Sequence, residues 1–165
     1  MFSKELYSFV KVQAPSREVF LYFFSTEPLE IFKGTYFIAN VIPGSIKNGS
    51  AQLGSEQSLH FKNGTRAKHE LLNFTSQVCF SVRIYDFTHN SFLALQSVQY
   101  NFSFTSEDKK MTKVHCELHL IWSYRISFLI YKVFCHRLLQ RKLDQFLIQT
   151  AKEVKIFINW KLKLD

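Results

Sequence analysis

Glycine and proline are scarce in this 165-residue chain, at 5 and 3. That scarcity excludes collagen-like repeats and Gly/Pro-rich low-complexity sequence, and the 47% hydrophobic content excludes a disordered chain. Cysteine is sparse as well: Cys79, Cys116 and Cys135 are widely spaced, odd in number and free of any Cys-x-x-Cys pattern. The spacing argues against a disulfide framework and against a structural zinc site. Buried free thiols in a reducing compartment are expected instead. Long apolar runs are missing too. The stretch 126–131 ends at Lys132, far short of the roughly 20 residues that a membrane-spanning helix needs. Residues 1–10 carry Lys4 and Glu5 where a signal peptide has its apolar core. Sequons such as Asn63-Gly64-Thr65 therefore carry no weight, and a soluble, cytoplasmic protein is expected.

Chemical motifs are equally thin. No serine sits in a Gly-x-Ser-x-Gly elbow, and no glycine-rich phosphate loop exists. His115-x-Glu117-x-His119 falls on one face of a strand, but its two histidines are then about 13 Å apart, a span that one metal ion cannot bridge. His60 and His69 flank a turn and read as exposed, and His136 reads as lying on the wetter side of a helix. No metal, cofactor or catalytic residue is assigned, and the enzyme question stays open, leaning towards none. The net charge is +8, and six of those charges lie from Arg125 onward, where nine Lys/Arg meet three acids. A basic C-terminal face suits anionic lipid, nucleic acid or an acidic partner, with a solvated helix face as the simpler and favoured reading. No nucleic-acid motif accompanies it, so nucleic acid is not expected.

What the chain has in quantity is aromatic side chains, with 18 Phe and 7 Tyr. Either the core is built from rings, or some of them line a cavity. The length fits one domain, 1–165, able to bury roughly 70% of the surface its unfolded chain exposes. Apolar residues alternate with polar ones through the middle. Val78, Phe80, Val82 and Ile84 share one face; Phe92, Ala94, Val98, Tyr100, Phe102 and Phe104 share another run; Val114, Cys116, Leu118, Leu120 and Trp122 form a third. This is the pattern of half-buried antiparallel strands. Turn signals separate them, the best being Asn63-Gly64. Ser16 reads as the cap of a short helix after Ala14-Pro15, and Thr26 as the cap of a second with Pro28 in its first turn.

A long C-terminal helix is the clearest element. Phe128, Tyr131, Cys135, Leu139, Leu143, Phe146, Thr150, Val154 and Phe157 recur at three- and four-residue steps, with Arg137, Arg141, Lys152 and Lys155 opposite. Roughly thirty helical residues would extend about 45 Å, enough to cross a whole sheet. The order is strand, two short helices, about six further strands and a long helix: an α+β domain with one sheet face covered and one wet.

This order, with the residues that punctuate it, resembles the START/pollen-allergen-like helix-grip superfamily (SRPBCC), and within it the polyketide cyclase/dehydrase-like branch. Val10-Lys11-Val12-Gln13-Ala14-Pro15-Ser16-Arg17-Glu18-Val19-Phe20 is similar to that family's first strand, proline turn and first helix. Leu53-Gly54-Ser55, Phe61-Lys62-Asn63-Gly64-Thr65 and Thr112-Lys113-Val114 are similar to its later strands and hairpin. The ubiquinone-binding branch has a Tyr-Pro-x-Phe-x-Pro-Trp-type segment after the first helix. Thr26-Glu27-Pro28-Leu29-Glu30-Ile31-Phe32 stands there in this chain and departs from it.

The resemblance implies a curved sheet of about seven strands wrapped around the C-terminal helix, with a pocket between them for an apolar small molecule. The expected function is binding or transport of a lipid, isoprenoid or polyketide-like compound. One alternative is a cyclase or dehydratase using Asp86 and Tyr100. Another is an interaction module whose basic helix face makes peripheral contact with a membrane. The candidate ligand-binding residues are Phe80, Val82, Phe92, Gln96, Tyr100, Leu118, Leu120 and Trp122 on the sheet, with Tyr131, Leu139 and Leu143 on the helix. Gln57, Asp86 and Gln96 share parity with inward apolar neighbours, Lys132 lies near the helix stripe, and Glu70 is a further candidate acid.

Overall fold

Alternation does become pairing. The computed structural model describes residues 2–26, 31–32, 42, 53–88 and 94–161. Its elements are β1 (Phe2–Val12), α1 (Ser16–Ser25), β2 (Glu56–His60), β3 (Arg66–Thr75), β4 (Cys79–Tyr85), β5 (Leu95–Asp108), β6 (Met111–Trp122), α2 (Arg125–Ile130), a π turn (Tyr131–Cys135) and α3 (His136–Lys161). The strands form one curved antiparallel sheet in the order β1-β6-β5-β4-β3-β2. Among the described residues it has six strands, against the seven or so expected. Consecutive strands from β2 to β6 are neighbours, as short connections dictate. β1 closes the far edge by pairing with β6 along its whole length, Phe2 opposite Trp122 and Val12 opposite Thr112.

The β2–β3 connection is the Asn63-Gly64 hairpin. Phe61 N–H donates to Thr65 O, Gly64 N–H to Phe61 O, and Thr65 N–H to the Asn63 side chain. Gly64 has φ +83°, so the loop is a three-residue turn that needs a left-handed residue at its end. A Cβ there meets nothing within 4 Å. Gly64→Ala should therefore cost only backbone strain, about 1 kcal/mol, read as a lower urea midpoint.

α1 opens differently from the expectation. Pro15 is its extended N-cap residue, and Ser16, in the first helical turn, donates its hydroxyl to Gln77 O across the β3–β4 turn. Thr26 closes α1, with its N–H and hydroxyl both donated to Tyr22 O. The second helix expected from Thr26 and Pro28 falls on residues 27–30, outside the described residues. Val78, expected on the inner face, is exposed in the β3–β4 turn.

α2, the π turn and α3 make one continuous helix whose buried stripe runs Tyr131, Cys135, Leu139, Leu143, Leu147, Thr150, Ala151 and Val154. It lies over the inner face of the sheet and shares a single apolar core with it. Gln140 donates to Tyr7 O (2.9 Å) and Ser8 donates to Asp144 (2.5 Å), which ties α3 to the outer edge of β1. The outer face carries Lys113, His115, Glu117 and His119, as expected. His119 stands between Glu5 (3.3 Å) and Glu117 (3.6 Å).

Candidate functional site

The inner face divides into two ends. Towards α1 it is filled by the protein's own rings. Phe20 packs against Phe24, Phe74, Phe80 and Phe104 with centroids 5.2–6.0 Å apart, and Phe80 stacks on Phe102 at 4.8 Å. Mixed edge-on and stacked contacts of this kind suit the ring quadrupole. Phe80 thus belongs to a closed aromatic cluster beneath α1.

The other end is built from rows of side chains that cross the sheet. One row runs Leu6, Leu118, Tyr100, Val82 and Leu71, all buried. The next runs Lys4, Leu120, Val98, Ile84, His69 and Gln57 across all six strands, and is apolar in the middle with polar groups at both margins. Trp122 lies one further step along β6, and its ring meets Tyr131 of the π turn at 4.5 Å. Leu139 and Leu143 continue the same helix stripe.

Two polar groups stand out here. Tyr131 is 2% exposed, and its hydroxyl has no hydrogen-bond partner among the described residues. Burial pushes its phenol far above the usual range, so it is a neutral O–H with an unused donor and acceptor. An unpaired buried hydroxyl costs about 1–3 kcal/mol. His69, expected at the surface, is 8% exposed on the inner face of β3 between buried Ala67 and Leu71. Burial lowers its pKa from the ordinary 6.5 to about 4, which keeps the imidazole neutral at pH 7. The row connecting Leu120 to His69 spans three inter-strand steps, about 14 Å.

The remaining candidates separate clearly. Val82, Tyr100, Leu118, Leu120, Trp122, Tyr131, Leu139 and Leu143 are all buried in the shared core. Gln57 is half-buried on the inner face. Phe92 lies outside the described residues. Gln96 is exposed, because β5 bulges between Leu95 and Ser97 and the inserted residue reverses the parity. Leu95 takes the inward place opposite Trp122, and Gln96 lines a groove of about 570 Å³ beside Arg83, Tyr85 and Gln99 on the outer side. Asp86 sits past the end of β4 at φ +59°, with its side chain 65% exposed and 3.7 Å from Lys68. Glu70 faces outward and accepts a bond from Arg83 at 2.7 Å. Lys132 is exposed, since it follows buried Tyr131 on the far side of the π turn.

No family model matches this sequence, and no curated protein does. The structure, by contrast, has solved counterparts. The protein TTHA0849 from Thermus thermophilus superposes with a TM-score of 0.61 at 13% identity, covering 93% of this chain and 98% of that one. The Zhui aromatase/cyclase from Streptomyces sp. R1128 gives 0.59 at 10% identity, with 93% and 94% covered. A truncated norcoclaurine synthase from Thalictrum flavum gives 0.55 at 9% identity, again covering 93% and 94%. The strand order, the long helix gripped by the sheet, and these superpositions over nearly the whole chain together identify the architecture as the helix-grip fold.

Proposed function

We propose that the β6 end of the inner face, beneath Tyr131, Leu139 and Leu143, holds a hydrophobic small molecule of the lipid, isoprenoid or polyketide class. The chain would act as its binder or carrier, as one helix-grip unit over residues 1–165. The observation that carries this reading is the unpartnered, buried Tyr131 hydroxyl. It is the kind of group that a ligand oxygen satisfies, and the Trp122 ring against it belongs to the apolar core, as in small-molecule sites, while the His136 ring at 6.2 Å is its polar neighbour. Enclosure supplies affinity at about 25 cal/mol per Å² of apolar area removed from water. Tyr131 and neutral His69 would set the orientation. A cytoplasmic location goes with this reading, since all three cysteines are free thiols. An apolar cargo of this kind is stored in membranes, so the same reading includes peripheral contact of the basic C-terminal helix with a bilayer.

A second reading, cyclisation or dehydration of a polyketide-like substrate, is favoured by one observation: a histidine on the inner face of a fold shared with an aromatase/cyclase. It ranks second because Asp86 is exposed, and because an imidazole with a pKa of about 4 is a weak base at neutral pH.

Native mass spectrometry of freshly purified protein, followed by organic extraction, tests the first reading. The expected result is a stoichiometric apolar adduct. A clean apo mass together with no binding of naphthalene-type or fatty-acid probes would overturn it. Tyr131→Phe gives the sharper test. Removing the unpaired hydroxyl should raise the stability of the ligand-free protein by about 1 kcal/mol, while weakening an oxygen-bearing ligand about tenfold. A purely structural Tyr131 would lose stability and leave ligand affinity alone.

A further inference from the structure

The helical stretch 126–138 is apolar on both sides, and the sheet covers only one of them. Phe128, Tyr131 and Cys135 pack inward, Phe128 against Trp122 at 5.5 Å. On the opposite side Ile126, Val133 and Phe134 are 72, 71 and 76% exposed, with Leu129, Ile130 and Leu138 completing the ridge. An exposed apolar arc on a helix that also carries bases suits the boundary between lipid headgroups and acyl chains. No helix among the described residues is long and apolar enough to cross a membrane, so this one would lie along a surface.

The charge around the ridge identifies what it meets. No Asp or Glu occurs between Glu117 and Asp144, whereas Arg125, Lys132, Arg137, Arg141 and Lys142 all do. Asp144 is engaged by Ser8 and Gln140. The field is positive beyond the helix itself: His136 is held below its ordinary pKa first by burial, then by Lys4 of β1 and by Arg137. A second copy of this chain is a poor partner, because a two-fold contact would set bases against bases. A nucleic-acid backbone offers nothing to a protruding Phe and two β-branched side chains.

We infer that the ridge formed by Ile126, Val133 and Phe134, with the exposed bases Lys132, Arg137 and Arg141 of the same helix, is a docking surface for an anionic bilayer. The three apolar side chains enter the headgroup region while Arg137 and Arg141 bind lipid phosphates and carboxylates. This rests on the peripheral-contact part of the reading above and is independent of whether the inner face holds a ligand.

Sedimentation of the full chain with phosphatidylcholine vesicles, with and without about 30% phosphatidylserine, tests the inference. Binding should require the anionic lipid and fall steeply at raised salt. Each base removed should cost about fivefold. Ile126→Ser/Val133→Ser/Phe134→Ser should lose binding at least about tenfold without loss of fold, since all three residues are exposed. Phe134→Trp should show a blue-shifted emission on anionic vesicles only. If the triple variant binds like the parent and Arg137→Glu/Arg141→Glu does not, peripheral contact stands and the ridge is overturned. If neither the parent nor Phe134→Trp responds to anionic vesicles, both fail. A dimer in solution that the triple variant dissociates, with no vesicle binding, would assign the ridge to self-association and overturn the inference.

Discussion

Replacing Phe20 by alanine is expected to lower the free energy of unfolding by about 3–5 kcal/mol. Phe20 is 1% exposed, and its ring is edge-on to Phe74, Phe80 and Phe104 and stacked on Phe24. Its loss removes transfer free energy and the contacts of four neighbours at once. The partners are themselves locked by one another, Phe24 against Phe74 and Phe80 at 5.0 and 5.2 Å, so the space cannot close by a simple rotamer change. A domain of this size has only about 5–15 kcal/mol in hand, so the variant would be marginal. Urea unfolding followed by circular dichroism reads the difference. Phe134→Ser is the control: a ring of the same size at 76% exposure should change stability by no more than about 0.5 kcal/mol. A loss below about 1 kcal/mol at Phe20 would mean that the cluster can collapse around the gap, and that this end of the inner face has room to spare.

That contrast also marks where the sequence is legible and where it is not. Period-two alternation over Val114, Cys116, Leu118, Leu120 and Trp122 suffices to orient β6, because the strand has no irregularity there and every second residue is buried. The same rule fails at Gln96. A bulge adds one residue, so Leu95 takes the inward place that parity gives to Gln96, which no composition signal announces. β3 has a similar shift between Leu71 and Asn73, again silent in the sequence. His69 is a different kind of miss. Ala67, His69 and Leu71 alternate correctly with Lys68 and Glu70, so the signal is present, but nearness to a turn suggests exposure where parity dictates burial. The helix ridge escapes notice because a second apolar arc at 126, 130, 133 and 134 blurs the period instead of adding to it. An ideal 3.6-residue spiral puts Lys132 beside the buried stripe, whereas the chain there makes a π turn.

Stability should fall steeply as the pH drops from about 6.5 to about 4, and His69 should account for much of the loss. Its side chain is buried between Ala67 and Leu71 and paired across the sheet with Gln57 and Ile84, so the charged form is disfavoured by desolvation. The folded pKa of about 4 lies below the unfolded value near 6.5. Between those limits the unfolded chain takes up a proton that the folded chain refuses. The contribution is therefore full above about pH 6.5, is lost as the pH falls through the window, and changes no further below about pH 4. The integrated loss is on the order of 3 kcal/mol. His136 titrates in the same direction, lowered by burial, Lys4 and Arg137, but it is far less buried and adds less. His69→Leu removes the group while keeping an apolar side chain in the row between Ile84 and Gln57. Urea midpoints at about pH 7, 5.5 and 4 should then drop much less for the variant than for the parent, the remaining slope coming from His136 and the carboxylates. Parallel slopes for the two proteins would mean that His69 accepts its proton freely. The inner face at β3 would then be open to water, and the margin of the proposed ligand site would have to be drawn at Ile84.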